Sequence, residues 1–319
     1  MSSHQQFDGR IEAVGLGLET TPGVPVAPQI FYRWLDNDLQ PNLNIIENNS
    51  AMGNPVKVND SEIVARSYAG TLGGKVTDIG IGYLFYLLFG SVSSVANGGL
   101  FNHTFDVLPS SVPKTATLSM VSPAHSKRHP YAVVDSIELK AEAGGWVTVS
   151  APMKARLGSV VTTSAAFVPE TEFTSKHVSI KFAANQAGIA AAPVIDATSV
   201  TLNLDRSTGD PFFPLGTDSN AEFDRGPWEA KGEITMRYKN TDFEDGWFAN
   251  SIQSAQITIA NGTKTLVLSG NRVRIREISL NKGLDDIVTQ TVSLYFEPDT
   301  TGKTVVPVLT NAQVSYLPA

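Results

Sequence analysis

With 319 residues, 42% apolar and 17% charged, the chain is long enough for one large or two ordinary domains and too apolar for wholesale disorder. It has no cysteine, which excludes a disulfide frame, a thiolate metal site and a thiol nucleophile. The net charge is −7, with 11 Lys+Arg against 13 Asp+Glu in residues 1–158 and 13 against 18 in residues 159–319, so broad attraction to nucleic-acid backbones is not expected.

The opening MSSHQQFDGR has no apolar core, and no secretory signal is expected there. Short blocks of Val, Thr and Ser, punctuated by 26 Gly and 18 Pro, predict a mainly β fold. A strand is predicted over 39–47, followed by a polar loop over 48–66. Loops beyond about 15 residues are usually functional or disordered.

In GTLGGKV, Lys75 is followed by Val76 rather than Ser or Thr, so the glycines do not form a phosphate loop. The apolar run 79–89 falls short of the about 20 residues that cross a bilayer, and no membrane insertion is expected. It predicts a helix. Tyr83, Leu84, Leu87 and Leu88 share helical spacing on a surface that is apolar nearly all round, so burial on more than one side follows.

Short strands are predicted over 101–107 and 116–121, then a hairpin with arms 131–141 and 146–157 turning at 143–145. Val147, Val149, Ala151, Met153, Ala155 and Leu157 alternate with Thr148, Ser150, Lys154 and Arg156, the period of a strand with one buried face. Of five histidines (His4, His103, His125, His129, His177), only His125 and His129 lie close, and Pro123 and Pro130 make an exposed loop the reading there.

The same order then returns. A strand over 200–206 precedes a polar loop over 207–224. Arg225 and Gly232 are seven apart, as are Arg66 and Gly73, and the two pairs are offset by 159 residues. Thr241 and Glu244 are spaced as a capping box, and Phe243, Trp247, Phe248 and Ile252 mark one helical face. Strands over 256–259 and 265–268 lead to a hairpin with arms 272–282 and 286–297, turning near Gly283.

The fold class is therefore mainly β: two tandem copies of one β-sandwich or β-barrel-like unit, each with one short helix. The divisions are 1–158 for the first copy with an N-terminal arm, 159–172 for a linker, 173–298 for the second copy and 299–319 for a C-terminal arm. Asp36, Asp38 and the 242–245 acidic cluster lack the Gly and bidentate Glu of a calcium loop. No catalytic, cofactor or metal residue is assigned, and no enzyme is expected.

This layout resembles the major tail tube protein of long-tailed, siphovirus-like bacteriophages, with a duplicated tube domain. ETTPGVPVAPQIFYRWLDNDL resembles the family's N-terminal stretch, GYLFYLLFGSVSS with FNHTFDV its helix-to-strand passage, and VTLNLDRSTGDPFFPLG with DRGPWEAKGEITMRY and FANSI the same region of a second unit. The resemblance implies a virion protein, made in the host cytoplasm, that stacks in rings to form a hollow tail tube for DNA. A duplicated subunit implies three chains per ring, a homotrimer with pseudo-hexameric symmetry.

Implied partners are further copies of the chain, a tape-measure protein, tail-tip and terminator proteins, and duplex DNA as non-sticking cargo. The long loops, with Asn48, Asn54, Lys57, Arg66, Phe212, Phe213, Leu215 and Arg225, are candidates for contact with the next ring. Glu138 and Glu142 are candidates for an acidic lumen wall that repels DNA. Arg272, Arg274 and Arg276 alternate and are candidates for an ion-pairing subunit seam. The alternative is a two-domain β-sandwich binding module, an adhesin or carbohydrate binder, for which Trp34 and Trp146 would be exposed platforms.

Overall fold

The computed structural model describes residues 8–219, 221–284 and 287–318; His4 and Asp286, the first residue of the last predicted arm, lie outside the described residues. The first half contains β1 (Ala13–Leu18), β2 (Ile30–Tyr32), β3 (Trp34–Asn37), β4 (Gln40–Asn48), β5 (Asp60–Lys75), α1 (Gly80–Phe89), β6 (Gly90–Asn97) and β7 (Leu100–Val107). It continues with β8 (Ala116–Val121), β9 (Ser126–Val134), β10 (Ser136–Glu142), β11 (Thr148–Arg156) and β12 (Ser159–Val161). The second half has β13 (Val178–Ala183), β14 (Ala197–Asp205), β15 (Glu229–Arg237), α2 (Asp242–Phe248), β16 (Gln253–Asn261), β17 (Lys264–Asn281), β18 (Thr289–Phe296) and β19 (Val305–Asn311).

Both halves repeat one order of antiparallel pairings. In the first, β1 pairs with β8, β8 with β9 and β9 with β12, while β10 pairs with β11, β11 with β5 and β5 with both β3 and β4. In the second, β13 pairs with β16, β16 with β17 and β17 with β19, while the far end of β17 pairs with β18, β18 with β15 and β15 with β14. Each half thus has two ladders with apolar faces toward each other. Leu202, Ile234 and Leu294 of one ladder and Ile180, Ile257 and Leu268 of the other line the same interior space. Period-two alternation produces this directly, because every second side chain leaves water.

The order of elements in the two halves differs in three details from the expected repeat. Lys75 and Arg237 end equivalent strands and Gly80 and Asp242 begin the helices, both 162 residues apart (237 − 75 and 242 − 80) rather than 159. Gly70, not Gly73, is therefore the counterpart of Gly232; Arg66 lies in a strand and Arg225 in a loop. The strand at 100–107 pairs with β6 in a hairpin that has no counterpart among the described residues of the second half, so β16 answers to β8. Finally, the predicted strands 265–268 and 272–282 are one strand, β17; a bulge lies between Ile275 and Glu277, and the three arginines still share one face, on which all reach Glu297.

All ten residues of α1 are buried, as its apolar surface requires, and each large side chain contributes about 1.5–3 kcal/mol. Gly90 ends it in the left-handed region, where its amide donates to Tyr86 O. The helix α2 contrasts with it. Thr241 makes no capping bond to the backbone and instead donates to Asp245, while Phe248 is 79% exposed. His129 also departs from expectation: only His125 is in an exposed turn, whereas His129 on β9 is 1% exposed, stacked 3.7 Å from Tyr68. Burial lowers its pKa to about 4.

Candidate assembly interface

The two halves meet where β10 pairs with β14, from Ser136 opposite Asp205 to Glu142 opposite Ser199. This joins the inner ladders into one eight-stranded run: β4, β5, β11, β10, β14, β15, β18, β17. On the outer side β7 adds to β19, carrying the β6–β7 hairpin of the first half onto the second.

Two arginines of the second half clamp the buried end of α1. Arg225, 8% exposed, donates to Leu87 O at 2.5 Å, to Arg206 O at 3.2 Å and to Val134 O. Arg206 donates to Leu108 O and Ser110 O, both at 2.7 Å. Burial, then the neighbouring Arg206, lowers the Arg225 pKa to about 10, which still leaves it charged at neutral pH. The carbonyls at a helix C-terminus carry partial negative charge, so cations suit this position.

The other end of α1 is held by the linker between the halves. Glu170 accepts from Gly80 N and Thr77 Oγ1, both at 2.8 Å, and burial raises its pKa. Phe173 is fully buried; its amide donates to Val76 O at 3.3 Å and its carbonyl accepts from Val147 N at 3.0 Å. The C-terminal segment seals the same helix. Tyr316, fully buried, donates to Ile79 O at 3.0 Å, and its ring lies where a side chain on Gly82 would stand.

Among the described residues, two edges of the eight-stranded run stay open. All nine residues of β4 are exposed, including Leu43, Ile45 and Ile46, and Met52 and Val56 follow in the connecting loop. At the far end, residues 277–281 of β17 pair with β18 on one side, and among the described residues nothing pairs on the other. Unpaired strand edges invite another chain, and contiguous exposed apolar patches of this kind mark interaction sites.

The loop candidates separate into two groups. Asn48 ends β4, and Asn54 and Lys57 lie in the exposed β4–β5 connection; Asn48 and Asn54 cap their own turns. Arg66 forms a 2.7 Å ion pair with Asp218 of the second loop. That second loop folds back on the first half: Arg156 donates to Ala221 O, and Phe213 packs with Tyr131, Val133 and Phe223. Its tip projects, with Phe212 60% and Leu215 105% exposed. Arg225 is buried within the chain and is not an exposed loop contact.

Arg272, Arg274 and Arg276 converge on one carboxylate, Glu297, at 3.3, 2.9 and 3.5 Å. Burial pushes Glu297 up, but hydrogen bonds from Arg274 and Arg272 outweigh it and hold the carboxyl below its usual range. Glu138 and Glu142 are exposed on the outward face of β10 beside Lys140, which pairs with Glu142 at 2.6 Å. Lys231 pairs with Glu229 on the same sheet, and Arg276 lies over Tyr295, so this face carries both signs rather than acid alone. Trp146 is exposed, yet the Lys75 ammonium sits 3.7 Å from its ring centre, and Trp34 donates to Glu12 O.

The pairings and the clamped helix were outside the reach of sequence spacing; the 159-residue coincidence pointed to Arg225 without showing its partners. The family model described as phage tail tube protein matches residues 9–302. No curated protein matches the chain. Among solved structures, the SPP1 tail tube is similar at 18% identity and a TM-score of 0.32, over 46% of this chain and 83% of that one.

Proposed function

The chain belongs to the phage tail tube protein family and is a structural component of the virion tail that assembles into a tube, and we propose that three chains close each ring. The observation that carries this reading is the β10·β14 seam. It joins an edge of the first half to an edge of the second, and the same two kinds of edge remain open at the ends of the chain. A contact between unlike edges is head-to-tail, and such contacts close into rings when the rotation allows. Six halves joined by alternating internal and external seams give pseudo-sixfold symmetry from three chains.

The equivalences suggest a register for the proposed external seam. Glu138 pairs with Ser150 as Ser279 pairs with Thr291, and Leu202 pairs with Gly232, the counterpart of Gly70. Since Glu138 lies opposite Asn203, Ser279 of one chain is expected opposite Gln40 of the next. The outward face of the eight-stranded run, with Glu138, Lys140 and Glu142, is the proposed lumen wall. Its mixed signs limit the summed phosphate contacts that would retain DNA.

The projecting tips, Asn54 and Lys57 in one loop and Phe212 and Leu215 in the other, are proposed contacts with the next ring. Tape-measure, tail-tip and terminator proteins are the proposed partners at the tube ends, and the role requires no catalytic step. The test is the symmetry of assembled tubes, together with a Ser279→Cys/Gln40→Cys variant, whose oxidation should join neighbouring chains. Six chains in each ring would overturn the reading.

A further inference from the structure

A hollow of about 570 Å3 opens beside α2, with Phe182, Ile195, Met236, Phe243 and Ile252 on its walls. Its counterpart in the first half, bounded by Tyr32, Gly74, Ile81 and Val149, has only about 10 Å3 left. The linker and the residue after it cover that counterpart: Phe167 packs on Phe31, Val168 O accepts from Arg33, Glu170 caps α1, and Phe173 inserts between the ends of β5 and β11.

The second half keeps the backbone frame for such an insertion. Tyr238 N donates to Val288 O at 3.0 Å as Val76 N does to Val147 O at 2.8 Å. Phe173 uses Val76 O and Val147 N; among the described residues their counterparts, Tyr238 O and Val288 N, have no partner.

The chain contains a second segment of the same design. After Phe173 come Thr174 as N-cap, a 3-10 turn at Ser175–His177, and then β13. After Phe7 come Asp8 as N-cap, a 3-10 turn at Gly9–Ile11, and then β1, the strand that pairs in the first half as β13 does in the second. The offset is 166 residues (174 − 8 and 175 − 9). The segment ahead of β13 covers the half that comes before it; the segment ahead of β1 stands in front of the first half.

The geometry points to residues 1–7 of a second copy as the cover of the α2 hollow, with Phe7 seated as Phe173 is. This inference rests on the ring reading, which puts β1 of one chain next to the second half of its neighbour. Charge agrees. The first turn of α1 has no acid and is capped by Glu170, whereas that of α2 carries Asp242, Glu244 and Asp245. At the position equivalent to Glu170 the incoming segment has His4, and it holds no acid before Asp8. A carboxylate there would be repelled; an imidazole is not.

The chain has no native cysteine, so a disulfide can report the contact. Full-length Phe7→Cys/Ile195→Cys and Phe7→Cys/Ile252→Cys variants, assembled into tubes and oxidised, should give chain-to-chain species on a non-reducing gel. Tubes that form without interchain bonds in both variants overturn the inference while the ring survives. A ladder running past three chains supports the docking and overturns the three-chain ring instead. Independently, Phe7→Ala should leave the unfolding midpoint of the unassembled chain unchanged and raise the critical concentration for tube growth about tenfold or more. An unchanged critical concentration overturns the inference.

Discussion

Every residue of α1 is buried, whereas α2, which follows the equivalent strand across the same gap, has no buried residue. Around α1 stand the Glu170 cap, the Phe173 insertion, the Arg206 and Arg225 clamp and the Tyr316 seal, all supplied by segments beyond the first half. Around α2 there is an open hollow. The same local connection therefore becomes a core or a surface according to which chain segments reach it. In the first half those segments belong to the same chain, and in the second a neighbour is the proposed supplier.

The sharpest way to break this comparison is to remove the cover that α1 already has. Phe173→Ala should cost the unassembled chain about 3–5 kcal/mol in urea unfolding, the range for deleting a buried ring. A loss below about 1 kcal/mol would mean that the linker is an ornament on α1 rather than part of its core.

The arginines sharpen it next. Arg225→Ala leaves the Leu87, Val134 and Arg206 carbonyls without their donor, and about 3 kcal/mol should be lost. Arg66→Ala removes only a half-exposed ion pair with Asp218 and should cost under about 1 kcal/mol. Equal losses in denaturation experiments would show that the clamp carries no special weight.

Acid provides a comparison confined to the first half. His129 has a folded pKa lowered by burial to about 4 from 6.5, so the unfolded chain binds the proton more readily between those values. Its contribution is fully present above pH 6.5 and is lost as pH falls through 4, amounting to about 3 kcal/mol at roughly 1.4 kcal/mol per pH unit. His129→Gln should flatten the stability profile across that window. A variant that keeps the wild-type slope would assign the acid sensitivity elsewhere.

Much of this architecture is legible in local pattern. Alternation over 147–157 marks β11, the glycines at 144 and 145 mark its turn, and the uninterrupted apolar run marks a buried α1. The recurring order of strands, helix and hairpin suggests a repeat, although Arg66 and Arg225 give an offset three residues short of the 162 that separates the ends of β5 and β15. His129 looked exposed because two prolines flank its segment, yet Pro130 sits within β9. A residue's own neighbours say nothing of Tyr68, which comes from a strand more than fifty residues earlier.

By itself the sequence determined the buried helix, the arms of the two long hairpins and which face of their last arms is apolar, because φ/ψ preference and period-two burial act between close neighbours. Tertiary structure alone decided that β10 takes β14, that β7 takes β19, and that Arg225 reaches the carbonyls of α1. The physical reason is that backbone edges are chemically alike. Any open strand offers the same donors and acceptors, so the partner is chosen by which edge the packed core brings within reach.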